Sequence, residues 1–394
     1  MSETHAAIRV PYTALGAQAG TIKRELLSAC EAVIDSGRYV LGPEVAAFER
    51  EFAALCGTAF AVGLANGTCA LHLVLRGLGL RDGDEVITAP NSFLASASTI
   101  DLAGARPVFA DIGPDLNLDP SRVEAAITPR TRAIVPVHLS GRPARMPEVL
   151  DIARRHNLFV LEDAAQAVGA ALDGRPVGSW GGAACFSLHP LKNLHAYGDA
   201  GMMTTSDAAI LDRMRLARNH GLRDRNTCEF WSLNCRLDEL HAAMLRVQLR
   251  HLAAWTGERR RLAFRYNDLL RPFVTVPDEG PGERCVYQTY MVQADRRDEL
   301  QRHLNDRGVE ALVHYPAPIH VQPAAASLGY RAEDFPATMR AAARILSLPL
   351  YPGLTREQQD RVIELIAGFY RSEAGGPGSA ASSSSGSPEP ERSA

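Results

Sequence analysis

The sequence lacks the features that direct a chain into or across a membrane. The N-terminus, residues 1–8, has neither the basic start nor the apolar core of a signal peptide. No apolar run approaches the roughly 20 residues that a membrane span requires. We therefore expect a cytoplasmic protein with no membrane partner.

Paired cysteines and an excess of basic charge are also missing. The seven cysteines are odd in number and scattered, without the spacing of metal ligands, so we expect reduced thiols and no metal site. A formal net charge of -3 gives no basic surface that would suggest a nucleic-acid partner.

The middle of the chain shows the pattern of an α/β fold. Strand candidates at 86–88, 108–110, 133–137 and 158–161 are separated by helical or loop stretches, which predicts a mostly parallel sheet with helices on both faces. We assign a large domain to residues 11–250.

A smaller α+β domain is expected over residues 251–372. It contains a strand at 287–292, a helix at 297–306 and a final helix that begins with a capping box, Thr355 to Gln358. Residues 1–10 are a short extension. Residues 373–394 form a tail that we predict to be disordered, because Gly, Ser, Pro and Glu dominate it and almost nothing in it can be buried.

Lys192 is the most informative residue of the chain. A lysine amine can hold an aldehyde as a Schiff base and a carboxylate can keep a pyridine nitrogen protonated, so Lys192 and Asp163 brought to one point would suit pyridoxal phosphate. A lysine in a polar loop is more often a solvated surface charge. Pro190 and the strands expected at 184–187 and 202–203 favour a loop held in place, where burial lowers the amine pKa.

Asp163 is expected at an edge of the sheet. It follows the apolar strand candidate 158–161, and the carboxyl ends of strands in open α/β sheets are where ligands bind. The alternative is a helix N-cap, because Asp163 before Ala164-Ala165-Gln166 also fits a capping pattern. Taken alone, this segment leaves both interpretations open.

A third segment predicts an anion site. The apolar run 60–62 is followed by Gly67-Thr68 and by a helix whose apolar positions from Leu71 to Leu78 recur at helical spacing. Backbone N–H groups at a helix N-terminus and the Thr68 hydroxyl suit a phosphate. A Gly-Thr helix start is most often only a cap. The phosphate interpretation is therefore supported mainly by the segments that carry Lys192 and Asp163.

An ordered set of short segments carries a resemblance to a known family. The segments are 39–49, 67–71, 83–86, 104–111, 162–166, 187–192, 234–239 and 348–351. From about Pro11 to about Tyr370 the chain resembles a fold-type I pyridoxal-phosphate aminotransferase of the DegT/DnrJ/EryC1/StrS group, the sugar aminotransferases.

The resemblance implies roles around the cofactor ring. Lys192 would be the Schiff-base lysine and catalytic base, Asp163 the partner of the ring nitrogen, and Gln166 a contact of the 3′-oxygen. The sugar dehydratases that share the fold have histidine at the lysine position, so Lys192 favours transamination.

The resemblance also implies a phosphate site shared between two chains. Gly67, Thr68 and Ser187 would hold the phosphate, and Phe93 would stack on the ring, although an isolated Phe is more often a core residue. Asn234 matches an asparagine that enters the neighbouring subunit's site, so the resemblance implies a homodimer with shared active sites.

Substrate contacts are expected from Tyr39, His314, Tyr315 and His320, which lie in segments similar to those near the sugar. The function implied is transfer of an amino group from L-glutamate or L-glutamine to a nucleotide-linked keto-sugar, in amino-sugar, antibiotic or surface-glycan biosynthesis. Two alternatives remain: amination of a keto-cyclitol, and a non-catalytic regulatory protein on the same fold.

Overall fold

The structure is a computed structural model and describes residues 9–374. The predictions for residues 1–8 and 375–394 lie outside the described residues. The helices are α1 (Leu15–Ser36), α2 (Pro43–Cys56), α3 (Gly67–Gly77), α4 (Ala95–Leu102), α5 (Pro120–Ala126), α6 (Met146–His156), α7 (Ala208–Ala217), α8 (Glu239–Leu270), α9 (Arg297–Asn305), α10 (Pro336–Arg344) and α11 (Arg356–Ala374). The strands are β1 (Phe60–Leu64), β2 (Glu85–Thr88), β3 (Arg106–Phe109), β4 (Thr131–Val135), β5 (Phe159–Asp163), β6 (Ala171–Leu172), β7 (Arg175–Pro176), β8 (Ala183–Ser187), β9 (Gly201–Thr205), β10 (Glu283–Arg284), β11 (Tyr290–Gln293) and β12 (Ile345–Leu348).

Seven strands form the central sheet, in the order β1-β9-β8-β5-β4-β2-β3. The neighbours from β3 to β8 pair in parallel, whereas β9 runs antiparallel to both β8 and β1. The predicted mostly parallel α/β sheet is therefore confirmed. Because β5 and β8 are parallel neighbours, the segments that follow them leave from the same edge of the sheet.

Alternate residues of the strands pack on opposite faces of this sheet, as the period of two requires. Val62 and Cys185 join a buried cluster with residues of α3 and α7. Their neighbours Ala61 and Phe186 join a second cluster with residues of α2 and α8. Both faces of the sheet are thus covered by helices, which explains why apolar residues predominate in its central strands.

The C-terminal part has its own core, which gathers apolar residues of α8, α9, α11 and the β11–β12 pair. The predicted capping box is confirmed: Gln358 N–H donates to Thr355 Oγ1 at 3.2 Å, and Thr355 N–H donates to Gln358 Oε1 at 3.1 Å. The proposed boundary at 250/251 falls inside the continuous helix α8. The division into two domains stays a prediction.

None of the helices in the described part of the chain is both long enough and apolar enough to cross a bilayer.

Candidate active site

Asp163 and Lys192 reach the same cavity from adjacent strands. Asp163 is the last residue of β5, and its register partner on β8 is Cys185. The loop that carries Lys192 leaves β8 two residues later and returns to the sheet as β9. Both side chains line a cavity of about 600 Å³.

The lysine loop is fixed by hydrogen bonds and by buried side chains. Leu188 N–H donates to Ala200 O at 2.8 Å, and Ala196 N–H donates to Leu188 O at 2.7 Å. Gln248 of α8 holds the loop from outside, because its Nε2 donates to the His195 carbonyl at 2.6 Å. The expected loop held between strands is confirmed. Burial lowers the pKa of Lys192 to about 8, while the nearby Asp163 charge opposes that shift.

Asp163 is not a helix cap. The residues after it form turns instead of a helix, and Asp163 Oδ1 accepts only the Ala165 N–H, at 3.2 Å. The capping interpretation is therefore wrong. Asp163 Oδ2 accepts a hydrogen bond from Ser96 Oγ at 2.6 Å. Burial raises the pKa of this carboxyl, and these two donors and the charges of Lys192 and His138 oppose the rise.

The predicted anion site forms where α3 begins. Asn66 is the N-cap, since its Oδ1 accepts the Cys69 N–H at 2.7 Å, a contact worth about 1 kcal/mol. The N–H groups of Gly67 and Thr68 have no acceptor among the described residues. Gly67, Thr68 and Ser187 all line the cavity. Free donors at a helix N-terminus are suited to a phosphate.

Two glycines allow this turn to lie against the sheet. A Cβ built on Gly67 would stand 2.9 Å from Ser187 Cβ, and a Cβ on Gly201 would stand 2.3 Å from the carbonyl carbon of Asn66. Neither distance is possible for a real side chain. The close approach of α3 to β8 and β9 therefore requires glycine at both positions.

Gln166 and two aromatic rings line the cavity beside Asp163. Gln166 is fixed from both sides: its Oε1 accepts the Ser140 N–H at 2.6 Å, and its Nε2 donates to the Tyr315 hydroxyl at 3.5 Å. Phe93 is 51% exposed, with its ring centroid 5.7 Å from that of Tyr315. Phe93 is thus a cavity residue rather than a core residue, as a stacking role requires.

Of the predicted substrate residues, His314 and Tyr315 line the cavity. His314 Nδ1 lies 2.9 Å from Ser347 Oγ, and burial, followed by the charge of Lys192, lowers the pKa of His314. Burial raises the pKa of Tyr315 to about 12, so its hydroxyl keeps its proton at neutral pH.

His320, Tyr39 and Asn234 do not line the cavity of their own chain. His320 is 2% exposed and packs in an aromatic cluster, with its ring centroid 4.7 Å from that of Phe335. Tyr39 is half exposed, and its hydroxyl donates to the Ile34 carbonyl at 3.2 Å. Asn234 is exposed. The surface positions of Tyr39 and Asn234 leave both free to meet another chain.

Several cavity residues were not predicted from the sequence. Tyr12 reaches the cavity because the chain before it pairs with the C-terminal part at Val10 and Val309. Arg259 of α8 donates through Nη1 to the carbonyls of Tyr287 and Leu350, and burial lowers its pKa to about 10. No local pattern marks either residue, since both arrive by long-range packing.

The charges and donors of the cavity match the parts of pyridoxal phosphate. An amine with a lowered pKa, a buried carboxylate and a helix N-terminus with free N–H groups lie around one space. Glycines at the two points of closest approach leave room for the backbone to meet a phosphate. The residues present therefore fit the cofactor.

Comparisons with known proteins agree with this arrangement. The family model of the DegT/DnrJ/EryC1/StrS aminotransferase family matches residues 20–367. The chain is 43% identical over 369 residues to a protein named pleiotropic regulatory protein, from Geobacillus stearothermophilus, covering 92% of this chain and 99% of the relative. It is 44% identical over 361 residues to a dTDP-3-amino-3,4,6-trideoxy-alpha-D-glucose transaminase from Streptomyces venezuelae, covering 91% and 95%. Among solved structures it is similar to DesV of S. venezuelae in complex with a ketimine intermediate, with a TM-score of 0.89, 44% identity, and coverage of 92% of this chain and 98% of that chain.

Proposed function

This chain belongs to the DegT/DnrJ/EryC1/StrS aminotransferase family, and we propose that it transfers the amino group of L-glutamate or L-glutamine to a nucleotide-linked keto-sugar. It is a pyridoxal-phosphate-dependent aminotransferase. The observation that carries the proposal is the meeting of Lys192, Asp163 and the N-terminus of α3 in one cavity.

The cofactor would be held at three points. Lys192 would bind its aldehyde carbon, Asp163 its ring nitrogen, and the donors at Gly67, Thr68 and Ser187 its phosphate. The first turn of α3 supports the last assignment, because its unpaired N–H groups and the helix dipole both favour an anion. When bound, the cofactor supplies a carbonyl that exchanges amino groups and a ring that accepts negative charge.

The lowered pKa of Lys192 suits proton transfer. With a pKa of about 8, a substantial fraction of Lys192 Nζ is neutral near pH 8, and a neutral amine acts both as a nucleophile and as a base. Lys192 Nζ would take the proton from the Cα of the amino donor and pass it to the carbon at which the bound cofactor carried its aldehyde. The hydrogen bonds of the loop hold the backbone of Lys192 beside the cavity.

Asp163 would stabilise positive charge on the ring nitrogen that it faces. Its carboxylate is 4% exposed, so its interaction with a nearby cation is screened far less than it would be in water. Gln166 and Phe93 would orient the ring, the first by its held amide group and the second by its exposed aromatic face.

We propose His314 and Tyr315 as contacts on the substrate side, since both line the cavity beside Lys192 and Gln166. A sugar offers hydroxyl groups, and the protonated Tyr315 hydroxyl and the His314 ring match them as hydrogen-bonding partners. We do not propose direct contact for His320, because its ring is buried among other aromatic rings. The name of the Streptomyces relative supports a nucleotide-linked amino sugar as product.

We also propose a homodimer with shared active sites. Exposed apolar residues support an interface: Trp231 is 90% exposed, and Leu233 is 49% exposed beside Asn234. These two exposed side chains lie within three positions of Asn234 along the chain, and exposed apolar patches mark interaction sites. Asn234 would reach the neighbouring phosphate site. A cytoplasmic location remains a prediction.

The comparisons give no support to the keto-cyclitol alternative. A non-catalytic role gives no reason for burying Lys192 and Asp163 in one cavity, where removing each charge from water has a desolvation cost.

The direct experiment supplies the holoenzyme with L-glutamate or L-glutamine and a panel of nucleotide-linked keto-sugars. We expect an aminated sugar and a 2-oxo acid in equal amounts, identified by mass, and no product with Lys192→Ala. If the wild-type holoenzyme converts its cofactor with glutamate but aminates only keto-cyclitols, the substrate proposal is wrong. If the cofactor reacts with neither L-glutamate nor L-glutamine, the proposed amino donor is wrong.

A further inference from the structure

Two buried hydroxyl groups lead to the Asp163 carboxylate. Ser96 Oγ lies 2.6 Å from Asp163 Oδ2, and Ser92 Oγ lies 2.8 Å from Ser96 Oγ. An ionised carboxylate can only accept, so the single proton of the Ser96 hydroxyl points to Asp163. Ser92 must then be the donor in the contact between the two serines.

The donors to Asp163 come from different elements and reach different oxygens. Ser96 belongs to the first turn of α4 and donates to Oδ2, whereas the Ala165 N–H follows β5 and donates to Oδ1. The terminal torsion of an aspartate is otherwise broad. Two donors on two oxygens therefore fix the plane of the carboxylate.

Ser96 also acts on the charge of Asp163. Burial raises the pKa of Asp163, and the Ser96 hydrogen bond is the strongest of the interactions that oppose this rise, ahead of the Ala165 N–H, Lys192 and His138. Ser96 is itself 1% exposed, so water cannot replace its hydroxyl group. Loss of this hydroxyl would leave the ionised carboxylate with less compensation for burial.

We propose that Ser96, supported by Ser92, is a positioning residue that keeps Asp163 ionised and oriented toward the ring nitrogen of the bound cofactor. This inference rests on the proposed function, in which Asp163 is the partner of that nitrogen. It assigns a second task to the segment that carries Phe93, since residues 92–96 supply both the aromatic face and the hydroxyl groups behind the carboxylate. A hydroxyl side chain is required at position 96.

The test compares Ser96→Ala and Ser96→Thr with Ser98→Ala, in which an exposed serine of the same helix is removed. The first measurement is the chemical shift of the ring nitrogen in holoenzyme reconstituted with ¹⁵N-labelled pyridoxal phosphate, which reports protonation of that atom. We expect Ser96→Ala to move the signal toward the unprotonated nitrogen. Ser96→Thr should restore it, and Ser98→Ala should match the wild type.

The second measurement is the rate at which the cofactor converts with L-glutamate in the absence of any acceptor. Because a hydrogen bond to a charged group is lost, we expect Ser96→Ala to slow this step on the order of 10- to 100-fold. The glutamate concentration for half-maximal rate should change little, since Ser96 does not face the donor. Ser92→Ala should cause a smaller change in the same direction.

An unchanged ring-nitrogen shift in Ser96→Ala would overturn the proposal, even if the variant were slower or less stable. If Ser96→Ala does not fold, Ser92→Ala and Ser96→Thr carry the same test, and a wild-type shift in Ser92→Ala together with loss of the protonated signal in Ser96→Thr would overturn it. Failure of the proposed function is separate, because a wild-type holoenzyme that never reacts with glutamate still reports its ring-nitrogen shift.

Discussion

Gly67 and Ser187 lie closer together than two residues with side chains normally allow, since a Cβ on Gly67 would stand 2.9 Å from Ser187 Cβ and 3.1 Å from Ser187 Cα. The second of these atoms belongs to the backbone of β8, which cannot move without disturbing the central sheet. The contact sets the distance between the N–H groups at the start of α3 and the loop that carries Lys192.

We expect Gly67→Ala to weaken cofactor binding. The added methyl group would push the N-terminus of α3 away from β8, at a cost of about 1–3 kcal/mol, and each 1.4 kcal/mol corresponds to about a tenfold change in Kd. A titration of apoprotein with pyridoxal phosphate, followed by absorbance, measures the change. Gly20→Ala is the matched control, because Gly20 is an exposed residue of α1 and no atom lies within 4 Å of the added Cβ. Equal Kd values for Gly67→Ala and wild type would contradict the prediction.

The covalent bond to the cofactor has two candidate residues, since Lys23 and Lys192 are the only lysines of the chain. We expect borohydride reduction of holoenzyme to fix the cofactor on Lys192, because burial lowers the pKa of this amine to about 8 and the cavity opens onto it. Peptide mapping by mass identifies the site. Lys23→Arg should be labelled as fully as wild type, and Lys192→Arg should not be labelled at equimolar cofactor. A label on Lys23 in the wild type would refute the assignment.

Asp163→Asn should separate cofactor binding from turnover. The variant keeps the size of the side chain but loses its charge, so we expect it to bind cofactor while turnover falls by about 100-fold or more. Steady-state rates and cofactor absorbance measure the two effects. Turnover close to that of wild type would show that another group serves the ring nitrogen.

The same substitution should stabilise the apoprotein near neutral pH. Burial raises the pKa of Asp163 above its ordinary 3.8, so the carboxyl stabilises the fold when protonated, and this contribution is lost as the pH rises through the folded-state pKa. Asparagine has no such loss. We expect the Tm of Asp163→Asn to exceed that of wild type at pH 7 and the advantage to shrink as the pH falls toward 4. An advantage that grows toward acid would have the wrong sign.

The shared active site predicts complementation between two inactive chains. In a hybrid dimer of Asn234→Ala and Lys192→Ala chains, one site would receive both defects and the other neither. We therefore expect the mixture to recover about a quarter of the wild-type activity after subunit exchange, if the two chains pair at random. Light scattering measures the dimer, and a mixture of Lys192→Ala with wild type serves as the exchange control. Mixtures that stay at the level of the parents despite proven exchange would exclude a shared site, as would an active monomer.

Local patterns in the sequence were sufficient for the fold class, and together with the family resemblance they predicted the chemistry of the site. The strand that ends at Asp163 is marked by a short apolar run, and the helix after Gly67 by apolar residues at helical spacing. These patterns record how a segment buries one face, which depends mainly on residues a few positions away. The ends of such strands are where ligand-binding residues lie, so Asp163 and Lys192 could be identified before the structure.

The sequence was a poorer guide to the turns that follow a strand and to side-chain contacts with distant residues. The segment after Asp163 has a capping pattern, yet turns follow it, and the short strands β6 and β7 come before the chain returns to the sheet as β8. His320 lies in a segment expected near the substrate, but packing against Phe335 and Phe109 buries it in a separate cluster. Neither outcome is a property of neighbouring residues alone.

Tertiary structure alone decided which side chains surround the two predicted residues. Ser96 and Tyr315 are far from Asp163 and Gln166 in the chain, and only the order of strands in the sheet and the position of the C-terminal part bring them into contact. The sequence by itself determined the strands, the helices and the presence of a lysine and a carboxylate at their ends. The distances between the lysine, the carboxylate and their neighbours depend on the simultaneous packing of apolar faces from many elements. No local pattern records that packing.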